Sequence, residues 1–299
     1  MQKRLLGKTG YQVSAVVYGG IVSMDDGQPA SDKYVAWAID KGVNYFDVAP
    51  TYGDAEEKLG KSLIPYRKDV YLACKTTQRM KADAEKEIAR SMELLHTDYF
   101  DLFQLHSMTT PEDVEKAFGK SGIMELLVKL KEKGVLRKLG ISAHSETAAL
   151  KCLELYDFDS VLFPMNYMLD MNEGIGRALQ KKAKEKGFGV LGMKSIIERA
   201  WRDDAEHQAS NYPKSWCKPF DPDRADLRIA AMKYALDMGA DVLVPPGNNE
   251  CFTFMVNHIG ECLKNPLNAT DKALLEGHFQ SVQTLPFFLK NNGGWPEVA

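Results

Sequence analysis

The sequence has five cysteines (Cys74, Cys152, Cys217, Cys251, Cys262) and no C-x-x-C pair among them. Thiols scattered in this way argue against a disulfide framework and against a zinc or iron–sulfur site, so no metal is expected. No apolar run approaches the ~20 residues that a membrane helix needs. The start of the chain, Met1 to Lys8, lacks the apolar core of a signal peptide. Charge is nearly balanced at a net −3, which gives no reason to expect nucleic acid or an anionic membrane as partner. These absences leave a cytoplasmic globular protein, a class that 44% apolar and 26% charged residues also suit. There is no low-complexity segment and no linker, so residues 1–299 read as a single domain.

What is present is alternation. Residues 1–14 hold two short extended pieces around Gly7-Lys8-Thr9-Gly10 and read as a β-hairpin cap. Short β-branched or aromatic runs then recur near 15–18, 44–48, 70–75, 99–105, 136–141, 159–163, 188–193 and 241–244. Helical stretches lie between them, near 31–41, 54–63, 83–96, 112–133, 146–155, 173–186, 224–238 and 249–264. Ser31-Asp32 can cap one helix start, and Lys-Gly pairs at 41–42, 133–134 and 186–187 mark three helix ends. Strands alternating with helices imply a parallel sheet with helical crossovers.

A doubly wound sheet would carry a Gly-rich phosphate loop after its first strand. That position reads Tyr18-Gly19-Gly20-Ile21-Val22-Ser23, with no G-x-G-x-x-G. Eight units in roughly 250 residues instead match a (β/α)8 TIM barrel. Two segments fall outside the regular spacing. The loop 195–223 after strand seven holds Trp201, Tyr212 and Trp216, and reads either as a lid or as a loop packed down by its own rings. The C-terminal extension 266–299 is apolar around Leu285 to Leu289 and can fold over a barrel mouth.

Barrel active sites are built on the C-terminal ends of the strands. Asp47, Lys75 and His106 end strands two, three and four, and Tyr52 follows Asp47 in the next loop. Neighbouring strands run ~4.8 Å apart, so these side chains can converge. A phenol with a pKa near ~10 is a poor acid at neutral pH, and a nearby ammonium is expected to lower that value. The carboxylate keeps the amine charged, and a neutral imidazole can orient a substrate carbonyl by hydrogen bonding. Such a set can protonate a carbonyl oxygen as hydride reaches its carbon, or do the reverse, with a nicotinamide supplying the hydride. Each residue alone has an ordinary structural explanation; it is their joint placement at successive strand ends that points to chemistry. A Schiff-base role for Lys75 is the other reading of the amine.

The segment Phe46 to Gly60 (D-x(4)-Y-G…E-x-x-L-G), Cys74-Lys75-Thr76 and Asp98 to His106 resemble the aldo-keto reductases. Gly140-Ile141-Ser142, Met165-Asn166-Tyr167 and Pro245-Pro246-Gly247 with Asn257 extend the likeness from about residue 3 to 265. The resemblance implies NADP(H) or NAD(H) lying across the C-terminal face and a small carbonyl or alcohol substrate. It implies Tyr52 as general acid/base, tuned by Lys75, with Asp47 supporting the lysine and His106 orienting the carbonyl. It implies cofactor contacts from Gly19, Gly20, Ser142, Asn166, Met193, Lys194, Gly247, Asn248, Thr253 and Asn257. Tyr18, Met24, Trp201 and Trp216 are the expected substrate walls.

The departures are Ala143-His144 after Ser142, Leu162 on strand six, and Met193-Lys194 after strand seven. Met-Lys there resembles a bacterial branch of the family, without the iron–sulfur cysteines that some of its members carry. The stretch Pro246 to Thr253 has no basic residue to pair the extra phosphate of NADP(H), and Glu250 would repel it. NAD(H) is therefore expected to serve at least as well. Some relatives of this family hold a nicotinamide in regulatory complexes, so a regulatory barrel with little turnover is the alternative. The oligomeric state is left open.

Overall fold

The computed structural model describes residues 1–291, 293 and 294. The hairpin pairs β1 (Lys3–Leu5) with β2 (Gln12–Ser14), antiparallel. Its turn ends on Gly10 at φ 79°, where glycine escapes the Cβ penalty. The hairpin caps the bottom of the barrel: Leu6 and Val13 join the interior cluster, and Tyr11 stacks on Tyr71 at 4.4 Å.

Parallel strands follow in chain order: β3 (Tyr18–Gly19), β4 (Tyr45–Asp47), β5 (Tyr71–Thr76), β6 (Phe100–Met108), β7 (Leu136–Ala143), β8 (Ser160–Pro164) and β9 (Gly189–Met193). A side ribbon, β10 (Ile197–Arg199) with β11 (Lys218–Pro219), precedes the last barrel strand, β12 (Val242–Val244). The ring closes where Val17 N–H donates to Leu243 O at 3.0 Å and Leu243 N–H donates to Ala15 O at 2.9 Å. The (β/α)8 barrel expected from the alternation is thus present.

The helices are α1 (Gln28–Asp40), α2 (Ala55–Leu63), α3 (Lys81–Leu94), α4 (Pro111–Phe118), α5 (Ile123–Glu132), α6 (Glu146–Leu155), α7 (Tyr167–Glu173), α8 (Arg177–Lys186), α9 (Asp204–Gln208), α10 (Ala225–Asp237), α11 (Asn249–Lys264) and α12 (Ala269–Val282). The Lys-Gly stops hold, with Gly42, Gly134 and Gly187 at φ 80°, 75° and 73°.

Three expectations change. Helix α1 starts a turn earlier than Ser31, after Gly27 and with Pro29 in its first turn. Ser31 is not a cap; its hydroxyl is buried between those of Ser23 and Ser62, at 2.9 and 3.0 Å. The single helix expected over 112–133 is two, because Gly119 to Gly122 break it. A side chain at Gly122 would collide with the Ala117 carbonyl, and Ser121 sits at φ 60°. Finally, the extension contains α12, opened by a capping box between Asn268 and Asp271. The part of 266–299 at 292 and 295–299 lies outside the described residues.

The barrel interior explains where the polar residues go. Side chains alternate along a strand, so residues two apart share a face. Val17, Tyr45, Ala73, Leu102, Leu191 and Val242 fill the apolar floor. One step further along β4, β5 and β6 come Asp47, Lys75 and Gln104, all buried, and two residues later His106.

Candidate active site

Asp47, Lys75, Tyr52 and His106 do converge. Lys75 is fully buried and its ammonium donates to Asp47 Oδ1. Asp47 Oδ2 accepts from Gln104 Nε2 at 2.8 Å, so both carboxylate oxygens are held. The register puts Lys75 opposite Gln104, and Gln104 opposite Gly140. Gly140 leaves the space that Gln104 uses: a Cβ there would sit 3.3 Å from Gln104 Cγ and 2.5 Å from Ser160 Oγ. Tyr52 sits in the turn between β4 and α2, where its N–H donates to Ala49 O at 3.0 Å. The Lys75 ammonium is 5.0 Å from the Tyr52 ring centroid, and the His106 ring meets Tyr52 edge-on at 5.8 Å.

Strand β6 shifts register between Leu105 and Met108, and Ser107 takes φ 55°. Arg79 pins this bend by donating to His106 O at 2.7 Å and Ser107 O at 3.2 Å. The same guanidinium bonds Thr77 O and Asp113 Oδ1, both at 3.0 Å, which ties the ends of β5 and β6 to α4.

The electrostatics sort the four roles. Burial pulls the Lys75 ammonium down, but Asp47 and Tyr52 beside it more than offset that and hold it above its ordinary value. A charged lysine is a poor imine nucleophile, which weighs against the Schiff-base reading. Burial lifts the Tyr52 phenol above its ordinary value, with Lys75 pulling the other way. The expectation of a lowered phenol is therefore reversed, because the loss of hydration outweighs the ammonium. His106 is pushed down to about 2 by burial, with Lys75, His144 and Arg79 adding to the effect, so the imidazole is neutral. Its Nδ1 is buried without a partner among the described residues.

Asp47 and Tyr52 open onto a cleft with about 600 Å³ of empty space, the open solvent at its mouth included. Gly19, Met193, Lys194, Trp216 and Gly247 line it as well, together with Ile21, Leu162, Ile197, Lys214, Ser215, Cys217 and Val244 to Pro246. Lys214 to Cys217 come from the long loop after β9. Lys214 pairs with Asp26 at 2.6 Å and so ties that loop to the one after β3. Ile21 sits so close to Gly247 that any Cβ there would clash.

Other expected contacts lie elsewhere. Tyr18 is no pocket wall: it alternates with Val17 and Gly19, so it points away from the axis and packs on Phe46 and Phe252. Met24 packs beside Gly53. Trp201 is spent inside the loop, stacked on His207 and donating to Ser215 O at 2.9 Å. Trp216, 57% exposed, does face the cavity, with its ring 6.0 Å from that of Tyr52.

The close approach at Gly20 is to Val48, 2.7 Å from where a Cβ would be. Asn166 caps α7 and donates to the carbonyls of Lys194 and Ile197, at 2.8 and 2.9 Å. It thereby fixes the turn that carries Lys194. Ser142 is buried at the end of β7. Asn248 caps α11, Thr253 is half-buried on it, and Asn257 is exposed.

Glu250 is also not the free carboxylate that the sequence suggests. Arg228, wholly buried on α10, grips it at 2.5 and 3.0 Å and also bonds Phe220 O and Tyr212 Oη. The cysteines are free and buried. Among the described residues no group of three or more His, Cys, Asp and Glu is placed to hold a metal, and no helix is long and apolar enough to cross a membrane.

Comparison with known proteins adds to this geometry. A curated D-arabinose 1-dehydrogenase of Saccharomyces cerevisiae is 28% identical over 260 residues, 75% of each chain. An uncharacterized oxidoreductase of Bacillus subtilis is 31% identical over 157 residues, 48% of this chain; the match spans about half (49%) of that relative's own length. Among solved structures, an aldo-keto reductase from Bacillus halodurans in its holo form superposes with a TM-score of 0.69 at 23% identity, over 94% of this chain and 96% of the other. One from Klebsiella pneumoniae, in complex with NADPH, gives 0.67 at 19% identity, over 99% and 100%. These two likenesses show the fold. The model of the Aldo/keto reductase family matches residues 22–240, from just after β3 to just before β12, and therefore spans the whole tetrad. On that match this chain belongs to the aldo/keto reductase family, a class of NAD(P)-dependent oxidoreductases.

Proposed function

We propose that this chain reduces a small carbonyl compound with NAD(P)H, or oxidises the corresponding alcohol, with Tyr52 as the general acid/base. The observation that carries the reading is the buried Asp47–Lys75–Tyr52–His106 cluster, two of whose members, Asp47 and Tyr52, line the cavity. The cavity fits a nicotinamide dinucleotide in two respects. Its wall joins Tyr52 to the loop Pro245 to Gly247 before α11, and Gly19 presents backbone with no side chain in the way. When bound, the nicotinamide supplies the hydride that no protein group can.

The protein's part follows from the geometry. Tyr52, a phenol that burial holds above its ordinary value, gives its proton to the carbonyl oxygen as hydride reaches carbon. Lys75 stabilises the phenolate that this leaves, and the proton is restored from solvent. Asp47 holds Lys75 in place. His106, kept neutral, donates a hydrogen bond to the same oxygen and fixes the direction of the carbonyl. We read Met193 and Gly19 as nicotinamide contacts, Ser142 as a contact to its carboxamide, and Gly247, Asn248, Thr253 and Asn257 as the adenosine end.

At that end the Arg228 guanidinium is committed to Glu250, Tyr212 and Phe220, and no part of it is exposed. A phosphate on the ribose would therefore meet the half-exposed Glu250 rather than the arginine, and we infer that NAD(H) serves at least as well as NADP(H). Five free, buried thiols suit a reducing, cytoplasmic setting.

Fluorescence titration with NADH and NADPH tests the cofactor reading, and a carbonyl panel with the tighter one tests the reaction. Tyr52→Phe is expected to bind cofactor within about threefold of the parent and to lose roughly 10²- to 10⁴-fold in turnover. Near-normal turnover would remove Tyr52 from its role. Tight binding with no turnover on any carbonyl or alcohol would favour the regulatory reading.

A further inference from the structure

The charged side chains lining the cavity are Asp47, Lys194 and Lys214. Asp47 is matched by Lys75, and Lys214 by Asp26. The ion pairs among the described residues leave Lys194 without a carboxylate; its ammonium lies instead over two rings, 5.6 Å from Trp216 and 5.5 Å from Phe288. The cavity wall therefore carries one uncompensated positive charge.

That charge is held in place. Lys194 adopts φ 63°, a left-handed backbone unusual for a long side chain, and Asn166 fixes the turn by donating from Nδ2 to the Lys194 carbonyl at 2.8 Å. Phe288 is itself stacked on His144 at 5.1 Å, at the end of β7. His144 is held down to about 3 by burial and by the Lys194 charge, so it stays neutral and adds no second positive charge there.

Trp216 lies between the two ends of the site. Its ring is 6.0 Å from that of Tyr52 on one side and 5.6 Å from the Lys194 ammonium on the other. A molecule lying along the indole, with its carbonyl at Tyr52, would carry its far end to Lys194.

We propose that Lys194 is a substrate-recognition residue, and that the preferred substrates are aldehydes or ketones bearing a carboxylate one aromatic ring or a short chain away from the carbonyl. A single ammonium between two rings suits a monoanionic carboxylate on an apolar body better than a phosphate, which needs more donors. The inference rests on the oxidoreductase reading. The reaction is unchanged: hydride adds to the carbonyl carbon, Tyr52 protonates the oxygen, and the carboxylate stays intact.

The test uses 4-formylbenzoate and its methyl ester, which differ in charge; the ester's aldehyde is the more electrophilic, so a preference for the acid does not come from intrinsic reactivity. The parent protein is expected to favour the acid in kcat/KM by about tenfold or more. Lys194→Met should bring that ratio close to one, and Lys194→Arg should largely keep it. Binding of 4-(hydroxymethyl)benzoate, followed by tryptophan fluorescence, should weaken about tenfold in Lys194→Met. Equal use of acid and ester by the parent, or a ratio unchanged in Lys194→Met, would overturn the proposal, while ester turnover would still uphold the oxidoreductase. Loss of NAD(P)H binding with the ratio intact would assign Lys194 to the cofactor and also overturn it. If neither aldehyde is reduced, the binding comparison alone decides: unchanged affinity in Lys194→Met refutes it.

Discussion

His106 should stay neutral far below the pH at which a free histidine takes up a proton, and that neutrality has a measurable cost. In the unfolded chain its pKa is near ~6.5. In the fold, burial and the Lys75 charge hold it down to about 2. Below pH 6.5 the unfolded chain gains a proton that the native protein does not. Stability from this residue is therefore complete above pH 6.5 and is lost as pH falls toward the folded value. At pH 5.0 the gap is 1.5 pH units, which at ~1.4 kcal/mol per unit gives about 2 kcal/mol. Any folded value below about 4 yields nearly the same result, so the prediction does not depend on the depth of the shift.

The comparison is between the parent and His106→Asn, unfolded in urea at pH 8.0 and pH 5.0. Asparagine does not titrate, so the variant should lose about 2 kcal/mol less than the parent between the two pH values. His144, held low by burial and Lys194, is present in both proteins and cancels, as do the carboxylates. In ¹³C-histidine-labelled native protein the resonance missing from the variant should not move between pH 8 and pH 5. A shift with a midpoint near 6.5, or equal losses in the two proteins, would refute a buried neutral imidazole. It would also remove the hydrogen-bond donor role at the carbonyl, because a residue that titrates freely is not held as the neutral donor.

Two further outcomes follow from the cluster and the loop. Gln104→Met strips Asp47 Oδ2 of its buried donor, at a cost of about 1–3 kcal/mol in stability. It should lower kcat about tenfold and leave cofactor affinity nearly intact; unchanged kcat would mean that Lys75 alone orients the carboxylate. Lys214→Met severs the link to Asp26 across the cavity mouth and should speed cofactor release about fivefold in stopped flow, with equal off-rates counting against a latch.

The architecture was legible because its signals are local. Strand alternation, Lys-Gly stops and turn residues each act over a few positions, and all eight strands fall where the runs of β-branched and aromatic residues lie. Asp47, Lys75 and His106 were legible for the same reason, since a barrel brings successive strand ends together whatever fills the loops. Gln104 carried a signal that went unread. It precedes His106 by two residues and so shares its face, and a polar residue inside a barrel needs a partner, here Asp47. The same alternation, applied to Val17-Tyr18-Gly19, would have sent Tyr18 outward and removed it from the pocket.

The unread remainder depends on pairings between distant segments. Glu250 looked like a free carboxylate because no basic residue stands near it in the chain; Arg228, 22 positions earlier, supplies the charge from another helix. Arg79 lies in the loop after β5, yet it fastens the bend under His106, 27 positions later. Tyr52 shows why proximity alone is insufficient even when the partners are known. The ammonium beside it was expected to decide its acidity, but the desolvation imposed by the packed barrel is larger and has the opposite sign. Sequence spacing identifies which groups meet. The sign of their effect on one another depends on how much water the whole fold removes, a sum over many residues that no motif contains.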